Sequence, residues 1–141
     1  AKPFCGASGR ILDELLAHIE LDRSKVYVTN VVKDRPPSNR DPSAKEISLY
    51  TPFLIRQIDI IKPKVIATLG RFAMDFVLEN FEHESPPLKI SQAHGVPFEA
   101  HTISGTMFQV VPLYHPAVAL YNGSTKDILK KDFEILKTFI Q

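Results

Sequence analysis

Two polar side chains stand where short apolar runs stop, and both are of a kind that can handle a small polar ligand. In Lys25–Pro37, KVYVTNVVKDRPP, the β-formers Val26, Tyr27 and Val28 lead to Asn30. Its side-chain amide carries both a donor and an acceptor. In Val110–Pro116, VVPLYHP, a second apolar run stops at His115, whose imidazole can donate a hydrogen bond. Each run has the look of a strand buried in a sheet. In open α/β sheets the carboxyl edge of the strands is where ligands bind. Asn30 and His115 are therefore expected to meet across one pocket.

The elements that must position them follow from periodicity and punctuation. Ser8 can cap a helix whose buried face is Ile11, Leu12, Leu15, Leu16 and Ile19. The strand Val26–Asn30 comes next, and Arg35–Pro42 then reads as a proline-rich polar loop with two arginines, Arg35 and Arg40. Ser43 and Glu46 form a capping-box pair ahead of Ile47, Tyr50, Leu54, Ile58 and Ile61 at helical spacing. Pro52 within that pattern predicts a kink or a broken turn, and Pro63 a stop. Lys64–Leu69 predicts a second buried strand that Gly70 turns into a helix from about Arg71 to Glu79. Asn80–Pro97 reads as irregular. Pro97–Ile103 and Met107–Pro112 predict a hairpin around Ser104-Gly105-Thr106. After a small apolar loop, Ala117–Gly123, Ser124 and Asp127 cap a last helix with the face Ile128, Leu129, Phe133, Leu136 and Ile140. The alternation predicts an α/β fold of three layers, α/β/α, around a central and mostly parallel sheet.

Composition narrows the class. With 141 residues, 44% apolar and 23% charged, the chain suits one globular domain with a real core. No apolar run approaches the ~18 residues of a membrane span, so no membrane partner is expected. A formal charge of +1 leaves any nucleic-acid contact to a local patch. The single cysteine, Cys5, excludes a disulfide within these residues, and the histidines lack ligand spacing; no metal site is expected.

Four segments together carry a resemblance: KPFCGASGRILDELL, VYVTNVVKDRPPSNRDPSAKEI, PFLIRQIDIIKPKVIATLG and YHPAVAL. In order and near-spacing they resemble uracil-DNA glycosylases of the family 4 type, over nearly the whole chain. The resemblance implies the three-layer fold above and a single domain, 1–141, that starts after the family's first strand. It also implies a DNA-repair hydrolase that breaks the N-glycosidic bond of uracil flipped out of DNA. By position, Phe4 would stack on the flipped base, Asn30 would read it, and His115 would face its carbonyl. Pro116, Ala117 and the loop through Tyr121 would enter the minor groove, where the family commonly has arginine in place of Tyr121. Arg35 and Arg40, beside Asn30, are candidate phosphate contacts.

Two further departures matter. A Gly-Glu-Ala-Pro-Gly type loop precedes Lys-Pro-Phe in the family and supplies an acidic residue that positions water; it does not occur here. The family usually carries a four-iron, four-sulfur cluster on four cysteines. The two such positions inside this chain correspond to Asp34 and Tyr50, and Cys5 is at neither, so no cluster or other cofactor is expected. The implied partner is uracil-containing DNA, single- or double-stranded, bound by a monomer in the cytoplasm, on the nucleoid in a prokaryote. The rival expectation is a glycosylase-like module that binds DNA or uracil without cleaving. A generic nucleotide-binding domain is disfavoured, because no GxGxxG or P-loop is present.

Overall fold

The computed structural model describes residues 6–29, 44–84 and 89–140, with residues 44–50 followed along the backbone alone. Helices α1 (Gly6–His18), α2 (Ala44–Ile61), α3 (Arg71–Asn80), the single turn α4 (Ile90–Ala93) and α5 (Gly123–Ile140) alternate with strands. The strands are β1 (Val65–Leu69), β2 (Glu82–His83), β3 (Phe98–His101) and β4 (Met107–Leu113). They form one sheet in the order β1-β4-β3-β2. β1 and β4 pair in parallel, whereas β4–β3 and β3–β2 are antiparallel. The α/β class holds. The described sheet is mixed rather than mostly parallel, because the hairpin and the short β2 fill one flank.

Strand β4 lies between two cores. Side chains alternate across a strand, so Val111 and Leu113 join Leu12, Leu15, Leu129 and Phe133 under α1 and α5. Phe108 and Val110 join Leu54, Phe76, Val77 and Phe81 under α2 and α3. Each fully buried side chain of this kind contributes roughly 1.5–3 kcal/mol. This arrangement gives the three layers expected from the sequence.

Hydrogen bonds alternate along β4 as well. Gln109 N–H donates to the Lys64 carbonyl and Gly70 N–H to the Leu113 carbonyl, so the odd residues bond towards β1. Pro112 lies on the other side, where β3 has already ended at Phe98 opposite Val110. A proline in a central strand normally removes a ladder bond. At residue 112 the described sheet has no ladder left to break, and the Pro112 carbonyl instead accepts from Gly95 N–H at 2.7 Å.

Several local expectations change. Val26–Thr29 enters no ladder among the described residues: Val26 is extended (φ −120°, ψ 147°) and packs with Val28 on the α1–α5 core. Tyr27 points away, its hydroxyl accepting from Gln57 Nε2 on α2 at 2.9 Å. Ser8 sits inside the first turn of α1, not at its cap. Helix α2 is uninterrupted at Pro52, which is exposed, although a proline there removes one bond from the helical ladder. The cap of α5 is Asn122 rather than Ser124, because Asn122 Oδ1 accepts from Ser124 N–H at 3.1 Å. On α5, Ile128 is 39% exposed while Asp132 is buried. Glu82–His83 and Ile90–Ala93 bring regular structure into the stretch expected to be irregular.

One polar clasp ties the β3–β4 hairpin to α2. Asp59 accepts from the hydroxyls of Thr102 (2.9 Å), Ser104 (2.8 Å) and Thr106 (2.8 Å). The Ser104 bond above all, then Thr106 and Thr102, holds its carboxyl below the usual aspartate value. A lowered folded value means the clasp is whole above about pH 3.9, the ordinary aspartate value. It is lost as pH falls through the lower folded value. On acidification from about pH 5 to 2 the wild-type urea midpoint is expected to fall more steeply than that of Asp59→Asn. Parallel acid profiles would show that the clasp is not linked to stability. No helix among the described residues is long and apolar enough to cross a membrane.

Candidate active site

The site is built where β1 and β4 end side by side. Leu69 lies opposite Leu113, and Gly70 N–H donates to the Leu113 carbonyl at 2.8 Å, so the parallel pair is held closed to its last residue. One strand then turns into α3 through Gly70, and the other runs through Tyr114 to His115. Gly70 has φ 92° and ψ 166°, a region essentially reserved for glycine. A Cβ there would stand 3.2 Å from His115 Cβ, so the absent side chain is what lets His115 lie against the β1–α3 turn. Arg71, exposed, opens α3 immediately beside it, and the positive end of that helix faces the same edge.

His115 is half-buried and caps a 3-10 turn, Pro116–Leu120, formed in the stretch expected to be loop. Pro116, buried at the first position of the turn, presets its φ. His115 Nδ1 accepts from Ala117 N–H at 3.0 Å. An accepting Nδ1 carries no proton, so the neutral ring is fixed as the Nε2–H tautomer. The imidazole is thereby a donor with a set direction. The turn ends in two exposed side chains, Leu120 (46%) and Tyr121 (89%), which project an apolar tip.

Of the residues expected at the site, His115, Pro116, Ala117 and Tyr121 therefore form one continuous feature. Phe4, Asn30, Arg35 and Arg40 lie outside the described residues, as do Cys5 and Asp34. The contact of Gly70 with His115 had no signal in sequence beyond a glycine between strand and helix. No cluster of histidine, cysteine and carboxylate with metal-holding geometry occurs among the described residues. These 141 residues contain one cysteine, a donor set that does not fit a four-iron cluster.

A mixed sheet between helical layers, with a histidine donor at the carboxyl edge of the parallel pair followed by a protruding turn, defines an α/β domain with a candidate hydrogen-bonding site at that edge. The profile of the uracil DNA glycosylase superfamily matches residues 1–137, and the chain belongs to that family. A type-4 uracil-DNA glycosylase of Archaeoglobus fulgidus is 41% identical over 94% of this chain and 65% of its own length. One from Thermotoga maritima is 37% identical over 99% of this chain and 69% of its own. A DNA polymerase of Bacillus phage SP01 is 28% identical over 99% of this chain but only 14% of the polymerase. The chain thus spans a little under two thirds of the archaeal glycosylases it matches.

Proposed function

We propose that this domain is a monofunctional uracil-DNA glycosylase of the type-4 kind, hydrolysing the bond between uracil and deoxyribose in DNA. The observation that carries the proposal is the locked Nε2–H donor of His115 at the carboxyl edge of the sheet, in a chain of the uracil DNA glycosylase superfamily.

The chemistry follows from what uracil presents. A glycosylase takes its base out of the stack at a cost of a few kcal/mol. Phe4 would offset part of that by stacking, worth roughly 1–3 kcal/mol. The Asn30 amide matches the O4 acceptor and N3 donor of uracil, whereas cytosine presents the opposite pattern and would leave buried groups unpaired. As the glycosidic bond lengthens, negative charge gathers on O2, and the His115 Nε2–H donates to it. Water completes the hydrolysis. Among the described residues no lysine adjoins His115 as an evident nucleophile, and no strand-cleaving step is expected. Leu120 and Tyr121, on the projecting tip, are the side chains suited to fill the space that the base vacates. Arg35 and Arg40 would hold phosphates, and the working unit is a monomer.

The test is release of uracil from labelled single-stranded and duplex oligonucleotides. Release from neither would remove the enzyme reading. Saturable, salt-sensitive binding without release would put a non-cleaving module in its place. Arg35→Ala is expected to weaken DNA binding without base preference and to lower the salt slope by about 1. An unchanged affinity and slope would take Arg35 out of the phosphate contacts.

A further inference from the structure

Asp132 is the buried charged residue among the described residues, 6% exposed on the inner side of α5. Its carboxylate accepts from His94 Nδ1 at 2.8 Å. The same carboxylate occupies the space that a side chain at residue 95 would need; Gly95, at φ 75°, leaves it open. The His94 ring lies tilted over Tyr114, centroids 4.6 Å apart at 32°. Tyr114 is the residue before His115, and two residues earlier the Pro112 carbonyl is held by Gly95 N–H. From the opposite side Gly70 N–H holds the Leu113 carbonyl. The three residues that deliver His115 are therefore gripped from both flanks, and the Asp132–His94 pair orients one of the grips.

Stability is a poor account of such a pair, because replacing a buried polar pair with apolar residues of similar volume is often neutral or stabilising. What a leucine could not do is set the direction of the His94 ring. The carboxylate does so, by fixing the proton on Nδ1, and the ring in turn restrains Tyr114. A displacement of a catalytic group by about 1 Å is enough to cost a hundredfold in rate. We propose that Asp132 and His94 are positioning residues for His115, acting through Tyr114. The kinetic consequence rests on the glycosylase reading; the structural one does not.

The test uses this chain with His94→Phe and Asp132→Leu together. That change keeps an aromatic ring over Tyr114, removes the bond, and leaves no lone carboxylate in the core. Uracil release is expected to lose at least about tenfold in kcat with KM unchanged, while the thermal midpoint stays near that of the wild type. Nitrogen-15 spectra of the ring nitrogens read His115 independently of turnover. The wild type is expected to show the single Nε2–H tautomer, and the double variant a shifted or mixed one. Should that variant not fold, His94→Phe with Asp132→Asn, which leaves a neutral amide, carries the same expectations. A folded variant with wild-type kcat and unchanged His115 signals overturns the proposal. If the wild type releases no uracil, the glycosylase reading fails alone. The ring-nitrogen signals then decide the positioning role, a change supporting it and identity overturning it.

Discussion

His115→Ala is expected to slow uracil release by about 100–1,000-fold, the usual effect of removing one donor aimed at a developing oxyanion. The expectation rests on how the ring is held. Because Nδ1 accepts from Ala117 N–H, the Nε2–H does not have to find its orientation during the reaction. A donor fixed in advance costs no reorganisation when charge appears on the base. Removing it should lower kcat and kcat/KM together and leave affinity for DNA nearly intact, since the interaction strengthens only as the bond breaks. His115 belongs to neither apolar core, so the stability lost should be limited to that of one turn cap, about 0.5–2 kcal/mol. Single-turnover release from a labelled single-stranded oligonucleotide, beside a denaturation curve, separates these effects. A variant that keeps its rate would exclude His115 as the donor.

The second large effect is expected at a residue with no side chain. Gly70→Ala places a Cβ 3.2 Å from that of His115 and asks an L-residue to hold φ 92° and ψ 166°. The backbone alone costs about 1–3 kcal/mol. If the turn relaxes instead, it takes with it the Gly70 N–H bond to the Leu113 carbonyl, and β4 ends one bond sooner. In either case His115 moves by a fraction of an ångström or more. Uracil release should drop by roughly 10–100-fold, with a loss of about 1–3 kcal/mol measured in urea. Where His115→Ala should lose mainly rate, this variant should lose rate and stability together. A loss of stability at full rate would mean that the turn carries strain but does not place the histidine.

Much of this fold was legible because period and punctuation agreed. The face of α1, the strand VIATL running into Gly70, and the hairpin around Ser104-Gly105-Thr106 all stand where apolar spacing and turn residues put them. The misreadings came from contacts that local sequence does not encode. VYV has the composition of a buried strand, yet in the described structure its alternate valines pack on helices while Tyr27 turns to Gln57. Asp132 stands among the apolar residues of α5 with no partner in its own neighbourhood of the sequence, and only the fold brings His94, thirty-eight positions earlier, within bonding distance. At the candidate site, HPA and the resemblance it carries pointed to His115, whereas the stretch after it, expected to be loop, forms a 3-10 turn. The Nδ1 bond that makes the ring a donor is a matter of backbone geometry, and so is the space that Gly70 leaves beside it. Ser124 lost the cap of α5 to Asn122 for the same local reason: the asparagine oxygen reaches two donors of Ser124 at once.

Pro112 has an effect that reaches beyond its own strand. If the antiparallel register of β3 and β4 continued past Phe98 and Val110, Val96 would arrive opposite residue 112. Proline has no N–H to offer there, so the hairpin cannot zip further towards the carboxyl edge. Val96 remains 50% exposed, and Gly95 is left to bond the carbonyl alone. The end of β4 before His115 is thus kept open on this flank from the molecule's own hairpin, and the restraint is covalent. No change of temperature, salt or pH can supply the missing proton, so the opening is written into the chain at one ring.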